Sequence, residues 1–194
     1  LLLTQGATMG VFLSTDFFTT FVFFEIMSLT SYVWVAQEEK PEALKAAETY
    51  LGISIIGGMV MLMGIFMLWD SLGTLMFSEI IYQMRIMLGD IIELPGQIIA
   101  AGICILFGFA VKAGAFPVHI WLPKAHPVAP APASALLSGM LTKCGVFGML
   151  LVNCHLLFAD GTWGNVILVL GTITMVLGAV SAVFSVDLKR TLAC

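Results

Sequence analysis

Long apolar stretches alternate with shorter polar connections along this chain. A helix needs about 20 predominantly apolar residues to cross the hydrocarbon layer of a bilayer, and the stretches are close to that length. Residues 1–14 have the pattern expected of the end of one span. Five complete spans are predicted after them, at residues 15–36, 49–68, 97–117, 130–155 and 163–186.

No stretch shows the repeated alternation of apolar and polar positions that transmembrane β-strands require. The pattern therefore predicts an all-α fold, a polytopic bundle of transmembrane helices. Asp16 lies where the first full span begins, as expected of a residue that caps the start of a helix. Four glycines of the second span are expected to let neighbouring helices approach closely: Gly52, Gly57, Gly58 and Gly64.

Two segments depart from a simple succession of spans. Residues 69–95 mix apolar and charged positions, which is typical of a connection that contains an amphipathic helix at the membrane surface.

In the third span, Lys112 is followed by Gly114 and Pro117, and a proline inside a helix removes a backbone hydrogen bond and clashes with the preceding turn. One broken helix is therefore predicted near residues 112–117. Because apolar residues continue past the break, its free backbone groups need protein or water, and a hydrated cavity near Lys112 is expected.

Composition and charge place the chain in the membrane. Hydrophobic residues make up 60% of the chain and charged residues 10%, and no basic surface indicates nucleic-acid binding. The bilayer is thus the expected environment.

Lysine and arginine are concentrated in the connections after the first, third and fifth spans, and short loops rich in these residues stay in the cytoplasm. Cytoplasmic loops are therefore predicted at residues 37–45, 118–129 and 187–194.

Three ionisable residues are predicted inside the membrane: Glu25, Lys112 and Lys143. Burying such a residue at the centre of a membrane helix costs roughly 2.5 to 3.5 kcal/mol, so each is a candidate functional group. A carboxylate close to a buried amine favours the charged amine, so a change in their separation changes proton affinity. Lys112 is the predicted proton-binding group and Glu25 its tuning partner.

Hydroxyl groups precede the second lysine at a spacing of four residues. Ser134, Ser138 and Thr142 recur in this way, and Lys143 follows directly, so one helix is expected to present hydroxyls and an amine on neighbouring sides. Such a face can hold water. Lys143 could instead bind free carbonyls in a purely structural role.

The sequence indicates no cofactor, no metal site and no redox chemistry of its own. Four cysteines form no CxxC pair, and no nucleotide or flavin motif is present. A haem between His119 and His126 is disfavoured because Pro123 and Pro127 prevent a regular helix face between them. Electrons would belong to partner subunits.

The stretch FGFAVKAGAFPVHIWLPKAHPVAPAPASALLSGMLTKCGVFG resembles the antiporter-like membrane subunits of respiratory complex I, Mrp cation/proton antiporters and membrane-bound hydrogenases. FFEIMSLTSY and DLKRTLA fit earlier and later parts of the same family, and WLPKAHPVAPAPASALLSG is most similar to the branch of hydrogenase-4 component B and formate hydrogenlyase. The resemblance implies half of an inverted-repeat fold, in the inner membrane of a bacterium or archaeon. The chain begins within an apolar run and ends after a basic turn, so a fragment of a longer protein is expected.

The resemblance also implies roles for single residues. Glu25 matches the ion-pair glutamate, Lys112 the lysine at the broken helix and Lys143 the lysine that passes protons onward. His119 and His126 match polar positions near the cytoplasmic approach, and these two with Ser138 and Thr142 form the possible relay. A packing role is an equal alternative to a relay role for His119. For His126 the alternative is a position at the membrane interface.

Three functions remain open from the sequence. The first is proton translocation within a redox-driven complex such as a membrane-bound hydrogenase or a complex I-like enzyme, with other membrane subunits and soluble redox subunits as partners. The second is sodium/proton antiport of the Mrp type, and the third is a structural anchor that conducts nothing. Sodium prefers several hard oxygen ligands, whereas lysine repels a cation and can release a proton, so protons are favoured.

Overall fold

A computed structural model of the chain describes residues 1–88, 95–157 and 162–194, and the regular elements of these ranges are helices. The predicted all-α bundle is confirmed. The longer helices are α1 (Leu2–Leu13), α2 (Phe17–Ala36), α3 (Pro41–Leu72), α4 (Phe77–Leu88), α5 (Gly96–Ala113), α8 (Thr142–His155) and α9 (Thr162–Val183). Short helices connect or end them: a 3₁₀ helix (Val118–Trp121), α6 (Leu122–Val128), α7 (Ala131–Leu136), a π-helical turn (Leu137–Leu141) and α10 (Leu188–Ala193).

Five helical stretches in the described ranges are long and apolar enough to cross a membrane. Their bounds are Phe17–Ala36, Pro41–Leu72, Gly96–Val128, Ala131–His155 and Thr162–Val183. The second of these begins earlier than the apolar pattern indicates, so residues 41–45 of the expected polar connection are helical. Pro41 lies in the first turn of α3, where the missing N–H needs no partner, and Ala43 and Ala47 are buried there.

The connection expected at residues 69–95 is partly helical. α3 continues to Leu72, and Gly73 ends it with a left-handed φ of 67°. α4 then follows as an amphipathic helix with Arg85 in its last turn. Residues 89–94 of the predicted connection lie outside the described part of the chain.

The core forms around α3 and α5, which pack against each other, while α2 packs against α3 and α8 packs against α5. Glycines permit the close approach, as predicted for α3. A Cβ at Gly64 would lie 2.8 Å from the carbonyl oxygen of Ala101, whereas one at Gly52 would meet nothing within 4 Å. α9 contributes no buried residue and lies at the edge of the bundle.

Asp16 caps α2, as its position predicted. The Thr19 N–H donates to its carboxylate at 2.7 Å, which satisfies one of the free amide groups at the start of the helix. Next to this cap, the Phe17 N–H donates to Leu75 O at 3.1 Å and joins the start of α2 to the connection that follows α3.

Candidate functional site

The broken helix at Lys112 is confirmed, and a glycine ends it. α5 stops at Ala113, and Gly114 adopts a left-handed φ of 74° three residues before Pro117. The Ala115 N–H donates to Ala110 O at 3.0 Å, and the indole Nε1–H of Trp121 donates to Val111 O at 2.8 Å. These bonds satisfy carbonyls at the end of the helix from within the protein.

Lys112 lies in the last turn of α5, and its side chain is 1% exposed. Its amine donates to the hydroxyl of Ser28 on α2 at 2.8 Å and to that of Tyr50 on α3 at 2.5 Å. The Nζ atom also lies 4.5 Å from the ring centroid of Tyr50 and 5.8 Å from that of Phe24. Three helices therefore enclose one amine.

The hydroxyls around the amine are oriented by further hydrogen bonds. Ser28 Oγ donates to Phe24 O at 2.8 Å, and Ser31 Oγ donates to Ser28 O at 2.9 Å. Ser31 Oγ also lies 2.5 Å from Tyr50 OH, and because the serine hydrogen is already used, the phenol donates to the serine. The oxygens of Ser28 and Tyr50 thus face Lys112 as acceptors.

Glu25 lies in the same region but not in contact with the amine. The ion pairs of the described residues include Lys40–Glu38 at 2.8 Å and none between Glu25 and Lys112 within 4.0 Å, although the two charges are near enough to interact. The Oε1 atom of Glu25 is buried without a hydrogen-bond partner. It occupies the space left by Gly58, where a Cβ would come within 2.2 Å of it.

A cavity lies at the break, close to Lys112 along the chain. A cavity of about 400 Å³ lies beside the break, and its lining includes Gly114, His119, Lys124 and Arg190 but not Lys112. The cavity thus lies near Lys112, since Ala113 and Gly114 line it, but the amine itself is bonded to Ser28 and Tyr50 instead.

Lys143 is not brought to Lys112, since its side chain is exposed on the surface of α8. The expected common face of Ser134, Ser138 and Thr142 does not form. The π-helical turn at Leu137–Leu141 adds a residue to the local period, so Ser134 is buried and Ser138 is exposed. Thr142 donates its hydroxyl hydrogen to Ser138 O at 2.7 Å.

The two histidines have different surroundings. His126 is 7% exposed, and its Nδ1 lies 2.8 Å from Ser134 Oγ, so it is a buried and hydrogen-bonded residue. His119 lines the cavity at the break, and its Nδ1 is buried without a partner. Neither contacts Lys112 through a hydrogen bond of the described residues.

Sequence reasoning missed Ser28, Ser31 and Tyr50. Ser28 follows Glu25 by three positions, which places both on one side of a helix, and that spacing was the available signal. Tyr50 lies at a polar–apolar border and offers no local sign that it reaches the lysine. Within the three described ranges, no three His, Cys, Asp or Glu side chains are close enough to hold a metal ion.

A bundle of membrane-spanning helices with a broken helix defines an integral membrane protein, and its buried lysine lies within one of the spanning stretches, Gly96–Val128. Residues 14–194 match the family model described as NADH:quinone oxidoreductase/Mrp antiporter, transmembrane. The chain belongs to this family, as the resemblance indicated.

Curated relatives come from both branches of the family. The chain is 35% identical to hydrogenase-4 component B of Escherichia coli over 175 residues, which are 89% of this chain and 25% of the relative. It is 30% identical to an Na(+)/H(+) antiporter subunit of Alkalihalophilus pseudofirmus over 185 residues, 95% of this chain and 36% of the relative. Both branches thus match, and these identities do not separate them.

Solved structures share the fold. The Mrp complex of a Dietzia species matches 99% of this chain and 35% of its own chain, with a TM-score of 0.87 at 24% identity. The membrane-bound sulfane sulfur reductase, an archaeal respiratory membrane complex, matches 99% of this chain and 39% of its own, with a TM-score of 0.86 at 27% identity. The chain therefore spans well under half the length of the proteins it matches.

Proposed function

We propose that this chain is part of a proton-translocating membrane subunit of a redox-driven complex, with Lys112 as its central proton-binding group. The observation that carries the proposal is the Lys112 amine, which is 1% exposed and bonded to two hydroxyls without a carboxylate in contact. Burial disfavours the charged amine and a nearby carboxylate favours it, so small changes in separation bind or release a proton.

The energy of moving a charge through the membrane potential is comparable to the energy of a modest change in proton affinity. Moving one charge through 100 mV costs about 2.3 kcal/mol, and a tenfold change in proton affinity corresponds to about 1.36 kcal/mol. A change of roughly a hundredfold in the proton affinity of Lys112 therefore offsets the energy of moving one charge through a typical membrane potential. Movement of Glu25 relative to the amine supplies changes of this order.

The onward path is assigned to Lys143, with His119, His126, Ser138 and Thr142 as possible relay groups. Lys143 is exposed on α8 and so is available to a neighbouring helix or subunit. His119 has an unpartnered Nδ1 beside the cavity at the break, and His126 is hydrogen-bonded to Ser134. We place the loops at residues 37–45, 118–129 and 187–194 in the cytoplasm, and membrane and soluble redox subunits as partners.

Lys112→Arg in the complete complex tests the proposal. Arginine keeps the positive charge but does not release its proton, so proton translocation should fall at least tenfold while the complex still assembles. Translocation is measured with a pH-sensitive dye in inverted membrane vesicles that contain the whole complex.

Lys45→Arg is the matched control, since Lys45 is exposed near the start of α3. Should the arginine disturb assembly, Lys112→Met removes the proton-binding amine with a side chain of similar length. Unchanged translocation in an assembled Lys112 variant would exclude the proposal and favour a structural anchor.

Sodium/proton antiport is the second candidate, favoured by the 30% identity to a protein described as a subunit of an Na(+)/H(+) antiporter. It would require sodium ligands besides Lys112, because an ammonium repels a bare cation. Vesicles are prepared without sodium, and sodium is then added. Proton movement that occurs only after the addition would support antiport. Proton movement that is independent of sodium would support the redox-driven pump.

A further inference from the structure

Helix α3 touches both members of the proposed pair at separate points. Tyr50 accepts a hydrogen bond from Lys112 at 2.5 Å. Eight positions further along the same helix, Gly58 leaves the space that the Glu25 carboxylate occupies, since a Cβ there would lie 2.2 Å from Oε1 and 2.8 Å from Cδ. Every side chain larger than hydrogen at position 58 would displace the carboxylate.

Each partner retains unused hydrogen-bonding capacity. An ammonium has three donors, and Lys112 uses two of them, on Ser28 and Tyr50. Glu25 Oε1 is one of two buried side-chain polar atoms of the described residues without a partner. A direct bond between the two groups would satisfy both atoms, yet they lie beyond 4.0 Å of each other.

We infer that α3 is a spacer that keeps the Lys112 amine and the Glu25 carboxylate out of direct contact, and that Tyr50 and Gly58 are its positioning residues. Tyr50, together with Ser28, holds the amine, and Gly58 provides the recess for the carboxylate. The inference rests on the proposed role of Lys112 in proton exchange.

The physical reason for a spacer is the strength of the contact that it prevents. A hydrogen bond between an ammonium and a carboxylate is about twice as strong as one between neutral groups. In a buried site such a contact would retain the proton. Partners held slightly apart still attract each other, but the amine exchanges its proton more readily.

Among the described residues, three titratable groups on other helices interact with the amine. They are Glu25 on α2, Tyr50 on α3 and Cys144 on α8, whose thiol is buried and within electrostatic range of Lys112. Trp121, from the 3₁₀ helix, packs on Tyr50 with ring centroids 4.9 Å apart and does not titrate. Glu25 is thus the acidic partner to which a released amine would move.

Tyr50→Phe in the complete complex tests the spacer. The ring is retained, so its packing on Trp121 remains, but the amine loses one of its two acceptors and turns to Glu25 Oε1. A direct pair should hold the proton more tightly, and the pH of half-maximal proton translocation should rise by about one to three units. Tyr82→Phe is the matched control, since Tyr82 is exposed on α4.

Gly58→Ala provides a second, independent test. The added methyl displaces a carboxylate at the end of a flexible side chain, so the fold is retained. The unused donor of Lys112 is the partner open to the displaced carboxylate, so the same alkaline shift is expected. Gly52→Ala is the control on the same helix, because a Cβ there meets no atom within 4 Å. The measurement is again dye-monitored translocation in vesicles, as a function of pH.

The outcomes separate this inference from the function on which it rests. Loss of translocation in Lys112→Arg together with wild-type pH profiles in Tyr50→Phe and Gly58→Ala would overturn the spacer alone. Normal translocation in Lys112→Arg would overturn the proton-binding role itself. An alkaline shift in both α3 variants and in neither control supports the spacer, whereas an acid shift in either contradicts it.

Discussion

Trp121 supports the site through its indole nitrogen and through its ring. Nε1–H donates to Val111 O, the carbonyl next to Lys112, and the ring packs on Tyr50. A carbonyl freed by a helix break inside a membrane needs such a donor. Trp121 therefore connects the break in α5 to the amine that the break positions.

Trp121→Phe should destabilise the protein by about 1 kcal/mol, because phenylalanine keeps an aromatic ring but has no donor for Val111 O. The expected readout is a lower midpoint of thermal unfolding in detergent. Trp69→Phe is the control, since Trp69 is 54% exposed, and it should leave the midpoint unchanged. An equal effect of the two substitutions would show that the indole hydrogen bond contributes nothing measurable.

At the scale of helices, the contact between α5 and α8 depends on glycines of α8. A Cβ at Gly145 would lie 2.3 Å from Ala113 N and 2.7 Å from Phe109 O, both of them backbone atoms of α5. Backbone cannot rotate out of the way as a side chain can. Only glycine therefore fits at position 145, where α8 packs against α5 next to the end of the broken helix.

Gly145→Ala should separate the two helices and cost about 1 to 3 kcal/mol of stability, as overpacking of a core does. Gly139→Ala, where a Cβ meets nothing within 4 Å, should cost less than the overpacked variant. Thermal unfolding of both variants in the same detergent measures the difference. Equal midpoints would mean that α8 can shift without penalty.

At the scale of the whole molecule, the connections expected in the cytoplasm meet at one end of the bundle. A cavity of about 470 Å³ is lined by residues of all three, including Lys45, Lys124 and Arg190. Lys189, from the third, donates to Ala129 O at 3.2 Å. In the first of these connections, residues 37–45, Lys40 lowers the pKa of the Glu38 carboxyl through the hydrogen bond between them.

Labelling of introduced cysteines tests the orientation of this end. In a background without the native cysteines, Lys40→Cys and Lys124→Cys should react with a membrane-impermeant maleimide added from the cytoplasmic side. Arg85→Cys, on α4 after the opposite end of α3, should react only from the other side. All three positions are exposed. Labelling of position 40 and position 124 from opposite sides would contradict the shared cytoplasmic face.

The sequence by itself determined the features that depend on short stretches of chain. Spans follow from the length of apolar runs, and the break near Lys112 follows from Gly114 and Pro117, because a helix ends where local backbone geometry fails. The cap at Asp16 is equally local. The glycine-rich face of α3 was also visible, but not what would lie against it.

Only the tertiary structure decided which groups meet. Lys112 bonds to Ser28, 84 positions away, and to Tyr50, 62 positions away, and no local pattern encodes such pairings. A π-helical turn at Leu137–Leu141 interrupts the expected four-residue spacing, and Ser134 bonds to His126 rather than joining a hydroxyl face. Contacts of this kind depend on how helices rotate and approach, and packing across the whole bundle sets both.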